Sequence, residues 1–172
     1  VTGVEKVTHT GTEWTTTYFS YCSDFFYEGQ AGASFPGLFA SMARAYLNEF
    51  DATEEDLASV AVKNHDNGLS NPKAHLRKKI TIDDVMNSAV VASPLKLFDC
   101  CPFSDGASSV VICNEQFAKD HSKDYVKVIG SGRGGSPAAL QGRAHLTTIP
   151  STNIAAADAS KTAGTTAKAI KF

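Results

Sequence analysis

Four stretches of this 172-residue chain carry side chains with chemical potential. The first is Phe98–Cys113, FDCCPFSDGASSVVIC, which sets adjacent thiols Cys100 and Cys101 between Asp99 and the turn triplet Ser104-Asp105-Gly106. A cysteine is a nucleophile only as thiolate, so it needs a neighbour that lowers its pKa. Asp99 and Asp105 act in the opposite sense, and the pair reads as structural or pocket-adjacent. The second is His65 with Lys63, Asn64 and Asn67, polar groups able to hold a ligand or move a proton, or merely to cap a helix. The third is the basic run Lys73-Ala74-His75-Leu76-Arg77-Lys78-Lys79, which can attract phosphates but is equally a solvated face. The fourth, Gly130–Gly135 (GSGRGG), has the wrong glycine spacing for a dinucleotide fingerprint and opens no helix at Ser136-Pro137, so a Rossmann site is rejected. It keeps the option of a backbone turn beside a substrate.

Helices and strands must position these groups. Ser34–Phe50 is the clearest helix: Ser34 caps it, Pro36 sits in its first turn, and Phe35, Leu38, Phe39, Met42, Tyr46, Leu47 and Phe50 form one apolar stripe for a core or interface. Thr53-Glu54-Glu55-Asp56 is a capping box that opens a helix through His65, with Gly68 as its expected stop. Thr81 with Asp84 opens a short helix, Asn114 caps EQFAKDH, and Thr148–Thr162 is an Ala-rich helix ended by Gly164. Val1–Thr8 and Tyr125–Gly130 read as strands. Ala107–Cys113, small and β-branched throughout, reads as a fully buried strand. His9–Gly32 has no helical period and is expected to be a long irregular loop, its aromatics facing a pocket or a partner. Strands alternating with helices predict an α/β protein.

Bulk properties exclude several classes. Hydrophobic residues make up 42% and charged residues 20%, with net charge −2, so a basic nucleic-acid binder is not expected. No apolar run approaches the roughly 20 residues a membrane span requires. Cys22, Cys100, Cys101 and Cys113 contain no CxxC pair, so neither a disulfide framework nor a zinc site is expected, and a reducing compartment is the default. VTGVEKVTHTG has no apolar h-region, so no signal peptide is read there. With no initiator Met, and with Val1 and Ile170–Phe172 both strand-like, the sequence reads as an internal piece of a longer polypeptide.

Taken in order, the stretches resemble the thiolase superfamily, and most closely its archaeal acetyl-CoA acetyltransferase and sterol-carrier-protein-type branch. The resemblance rests on GVEKVT at Gly3–Thr8, FPGLFASMARAY at Phe35–Tyr46, VAVKNHDNGLSNPKAH at Val60–His75, ITIDDVMNSAVVASPLKLFDCCPFSDGASSVVIC at Ile80–Cys113 and VKVIGSGRG at Val126–Gly134. It implies part of a layered α/β fold, a mixed sheet core with helices, carrying a mostly helical inserted loop domain. Residues 1–8 would end the N-terminal half, 9–93 would form the loop domain on the coenzyme A side, 94–121 would return to the N-terminal half, and 122–172 would begin the C-terminal half.

The resemblance further implies an acyl-CoA acyltransferase that runs Claisen condensation or thiolysis through a cysteine thiolate, a histidine and an oxyanion hole. No catalytic residue is expected in this chain: the family nucleophile falls upstream of Val1, and the His-Asp-Cys-Phe and Gly-His-Pro motifs fall downstream of Phe172. What remains is the coenzyme A side. Lys63, Asn64, His65, Asn71 and Pro72 match the branch's loop-domain pattern, and Arg77, Lys78 and Lys79 are assigned, on local charge, to the anionic nucleotide end. Coenzyme A or acyl-CoA enters as substrate, with no cofactor held permanently and no metal. A homo-oligomer, dimer or tetramer, a partner enzyme, a role in lipid metabolism and a cytoplasmic setting (peroxisomal in a eukaryote) complete the expectation. The alternative is a non-catalytic thiolase-like protein that binds acyl-CoA or lipid, or scaffolds a partner.

Overall fold

The computed structural model describes residues 1–170, and the backbone divides into two compact units. Lys171 and Phe172, part of the strand expected at the chain's end, lie outside the described residues. The larger unit is built from Glu5–Asp105 and Ala138–Thr147, the smaller from Val1–Val4, Gly106–Pro137 and Thr148 onward.

In the larger unit, the segment expected to be irregular contains a helix, α1 (Thr12–Ser20), and a single π-helical turn at Phe25–Gly29. Its four threonines obscured it, because β-branched side chains favour extended backbone. The structure accommodates them by bonding hydroxyls back along the helix. Thr15 Oγ1 donates to Gly11 O at 2.8 Å and Thr17 Oγ1 to Glu13 O at 3.0 Å. Glu28, nearly buried, accepts Leu140 N–H at 2.6 Å and Asp24 N–H at 3.1 Å, so one carboxylate ties the π-turn to the later segment 138–147. Trp14, Tyr18, Phe26 and Tyr27 stay exposed.

Helix α2 (Phe35–Phe50) forms as expected, with Ser34 Oγ accepting Gly37 N–H at 3.2 Å and Asp51 ending it in the left-handed region. Its stripe is only partly covered: Leu47 is buried, whereas Phe39, Tyr46 and Phe50 are exposed. Helix α3 (Glu54–Leu69) begins with the Thr53–Asp56 capping box. It does not stop at Gly68: Ser70 is its C-cap. Gly68 has another use, since a Cβ there would stand 3.3 Å from Leu76 O, and its absence lets the 74–76 loop approach the helix. A second capping box, Thr81–Asp84, opens α4 (Ile82–Met86). Ala58 and Ala61 of α3 meet Ile80 and Val85 to form the core, with Val62, Met86 and Phe98 packed against it. The antiparallel pair β2 (Val90–Ala92) and β3 (Leu95–Lys96) then leads through a 3-10 turn, Leu97–Asp99, into the cysteine stretch. Buried Lys96 pairs its ammonium with Glu54.

In the smaller unit, β1 (Thr2–Glu5) pairs with β4 (Gly106–Ser109). Val1 and Val110 exchange both backbone hydrogen bonds, at 2.7 and 2.8 Å, as opposed residues of an antiparallel ladder do. The expectation of a fully buried strand over Ala107–Cys113 is corrected: β4 ends at Ser109, and Val110, Val111 and Ile112 are 57, 87 and 75% exposed. Apolar residues on both faces signal a need for cover on both faces, and among the described residues one neighbouring strand lies beside this one. Tyr125–Gly130, read as a strand, has no strand partner among the described residues and is not one there. Helix α5 (Glu115–His121) is capped by Asn114 Oδ1 on Phe117 N–H at 2.9 Å. Helix α6 (Pro150–Ala163) ends at Gly164, whose φ of 64° is the left-handed conformation glycine adopts without strain.

The glycine segment lies along α6. A Cβ at Gly130, Gly132 or Gly134 would come within 2.5, 2.0 and 2.0 Å of the carbonyls of Ala159, Ala155 and Ser151 respectively. Extended chain advances about 6.6 Å per two residues and a helix about 6.0 Å per four, so alternate glycines keep step with every fourth helical residue. The segment is a close-packing rail.

Candidate functional site

The larger unit carries a cavity of about 460 Å³ that is open to solvent. Its floor is the outward side of α3 from Leu57 to Gly68, one wall is Ala74 and Leu76, and the other is Leu95 and Phe98–Pro102. Apolar side chains dominate it, with a few polar groups among them, the pattern of small-molecule sites. Asn64 and His65 reach it because α3 carries them at the same depth as Val60 and Ala61.

His65 is held in the cavity by a hydrogen bond and a ring contact. Its Nδ1 donates to Lys78 O at 2.9 Å. A carbonyl only accepts, so Nδ1 carries the proton and Nε2 of the neutral ring is left as an acceptor. The ring stands edge-on to Phe98, centroids 5.8 Å apart and planes at 87°. Lys78 Nζ lies 5.6 Å from the centroid of the same Phe98 ring. One aromatic side chain from the cysteine stretch thus gathers a histidine from α3 and a lysine from the basic run.

Cys100 is not activated. Burial pushes the Cys100 thiol upward, and the neighbouring Asp99 and Cys101 push it further in the same direction. Cys100 is therefore a protonated, inert wall residue. Asp99 accepts Lys96 N–H at 2.8 Å through Oδ2, while its buried Oδ1 has no hydrogen-bond partner among the described residues. Asp105 acts elsewhere. Its carboxylate accepts Thr8 N–H at 3.0 Å, Thr8 Oγ1–H at 2.7 Å and Val7 N–H at 2.7 Å, and the Thr8 and Val7 bonds hold its pKa at about 2. The Ser104-Asp105-Gly106 triplet is a fastening between the start of the chain and the cavity wall.

Of the sequence-selected residues, the structure gathers Asn64, His65 and Lys78 at the cavity and around Phe98. Arg77 Nη2 donates to Leu69 O at 3.3 Å, placing its charge at the C-terminal end of α3, where a cation is favoured. Asn71 Oδ1 accepts Lys73 N–H at 3.0 Å in an Asx turn. Lys63, Pro72 and Lys79 are exposed and do not line the cavity. Phe98 and Leu76 were missed as site residues: each looks like ordinary core in sequence, and only their long-range meeting makes a pocket.

Comparison with known proteins agrees with this arrangement of motifs. Residues 1–116 match the family described as Thiolase, N-terminal domain. The chain belongs to the thiolase family. It is 41% identical over 161 residues to the acetyl-CoA acetyltransferase of Methanothermobacter thermautotrophicus, covering 94% of this chain and 42% of that protein. Against sterol carrier protein 2 of Gallus gallus it is 34% identical over 86 residues, 50% of this chain and 16% of the relative. Among solved structures it is similar to the Ltp2-ChsH2(DUF35) aldolase, with a TM-score of 0.76, 29% identity, and coverage of 81% of this chain and 38% of that one. This thiolase chain therefore spans less than half the length of its archaeal relatives and falls in the branch the motifs indicate. No helix among its described residues is long and apolar enough to cross a membrane.

Proposed function

We propose that this chain supplies the coenzyme A side of a thiolase-type acyl-CoA acyltransferase, whose reaction is Claisen condensation of acyl-CoA or its thiolytic reverse. The observation that carries the reading is the apolar cavity beside His65, with Lys78 held above Phe98 at 5.6 Å. An acyl-CoA presents an apolar acyl chain, amide groups and an anionic nucleotide. Apolar walls accept the first, the free Nε2 of His65 can accept an amide N–H, and Arg77, Lys78 and Lys79 attract the phosphates. In this reading 9–93 is the loop domain over coenzyme A, inserted in the N-terminal half, and the chemistry is done by residues that this chain does not contain. The inert state of Cys100 supports that division. Assembly with copies of itself or with a second protein belongs to the same proposal; the similar aldolase is itself named for two components, Ltp2 and ChsH2. So do a role in lipid metabolism and a cytoplasmic or peroxisomal setting.

The test uses the complete polypeptide encoded by the gene. Thiolysis of acetoacetyl-CoA and coenzyme A affinity are measured in the native protein and in a variant with Arg77, Lys78 and Lys79 changed to Glu. Turnover with a roughly tenfold or greater loss of affinity in the variant is expected, as for loss of charge-assisted bonds. Unchanged affinity would remove these cations from the site. Tight binding without turnover would identify the non-catalytic acyl-CoA binder instead.

A further inference from the structure

We propose that the His75–Ser104 pair is a clasp that fixes the width of the cavity and so the length of acyl chain it prefers; the inference rests on the acyl-CoA reading above. His75 Nδ1 and Ser104 Oγ form a hydrogen bond across 29 residues of sequence. The two partners adjoin different stretches of the lining. Ala74 and Leu76, immediately flanking His75, line one side of the cavity. Cys100, Cys101 and Pro102, on the strand of chain leading to Ser104, line the other.

That second wall is also tied to α1, because Phe103, next to Ser104, stacks on Phe19 with centroids 5.5 Å apart. Cys100 N–H closes the preceding turn on Leu97 O at 3.2 Å. From Cys101 to Asp105 the chain has no regular secondary structure. The Asp105 carboxylate fastens it again to Val7 and Thr8. Those anchors lead to other parts of the unit, whereas the Ser104 hydroxyl bonds this wall to the 74–76 loop itself. A serine bonded to a histidine can also be a nucleophile with its base. That role needs a third group to orient the imidazole, and among the described residues no carboxylate bonds His75. The pair therefore positions the walls and does not react.

The clasp is tested by direct calorimetric titration of acetyl-CoA and decanoyl-CoA into the complete polypeptide, carrying His75→Ala, Ser104→Ala, both together, or Ser104→Thr. Each single alanine variant is expected to shift the ratio of the two affinities about fivefold toward the longer chain, the worth of one neutral hydrogen bond. The double variant should shift it no further than either single, because both remove the same interaction. Ser104→Thr, which keeps the hydroxyl, should restore the native ratio. A native protein that binds both ligands, with an unchanged ratio in the single variants or additive shifts in the double, overturns the clasp alone. A native protein that binds neither ligand overturns the clasp together with the acyl-CoA reading.

Discussion

Replacing Gly132 by Ala tests the glycine rail in isolation from any ligand. The new Cβ would stand 2.0 Å from Ala155 O and 2.5 Å from Ala159 N. Ordinary contacts of this kind begin near 3.4 Å, so a gap of more than an ångström must open. Both obstacles are helix backbone, which cannot rotate away as a side-chain tip can. Trimming Ala155 to Gly would therefore give no relief. Overpacking costs about 1–3 kcal/mol when side chains can adjust, and the backbone clash puts this substitution at the upper end, about 3 kcal/mol. At about 2–4 °C per kcal/mol, the melting temperature should fall by about 6 °C or more. The matched control is Gly135→Ala. No atom lies within 4 Å of its Cβ position and its φ is not in the left-handed region, so this change should be neutral or slightly stabilising. Differential scanning fluorimetry on the complete polypeptide reads both. If Gly132→Ala melts with Gly135→Ala, the extended segment does not lie against α6 and the rail is wrong.

Two further outcomes follow from local bonds. Ser34→Ala removes the acceptor for Gly37 N–H at the start of α2, and should cost about 1 kcal/mol in urea denaturation, while Ser34→Asp should cost little. The Asp105 carboxyl titrates at about 2 in the folded chain against an ordinary 3.8. A folded pKa below the unfolded one means that its contribution is present above 3.8 and fades as the pH falls toward 2. Asp105→Asn should flatten the loss of stability over that acid window, as followed by circular dichroism, and an unchanged acid profile would show that the Thr8 fastening contributes nothing.

What the sequence made legible was local. Ser34, Thr53, Thr81, Asn114 and Gly164 all do at helix ends what their types predict, because a cap is a bond between residues two to four apart. Helix α1 was hidden because its threonines satisfy themselves by bonding backward, a solution that propensity does not anticipate. Gly68 was misread as a stop because its reason lies in Leu76, eight residues away. The cavity was only half legible for the same cause. Asn64 and His65 stood out by type, while Phe98, which brings His65 and Lys78 together, has the composition of any core residue.

The exposed Val110-Val111-Ile112 run and the glycine rail mark opposite errors in reading one kind of signal. The valines and isoleucine are evidence of a demand for burial, not of burial itself: a strand apolar on both faces needs covering elements, and β1 is the one strand beside it among the described residues. The glycines leave open a backbone turn beside a substrate, and in the structure they mark a close approach, with helix backbone where a side chain would be. Side-chain size thus reports the distance to the next element without reporting what that element is. In this thiolase chain the neighbour is a helix for the glycines and, for the valines, a single strand. The same reasoning shifts the twin cysteines from chemistry to architecture. Cys100 is small enough for a wall that Phe98 and Leu76 must also share, and burial, with Asp99 and Cys101 beside it, keeps it a protonated thiol.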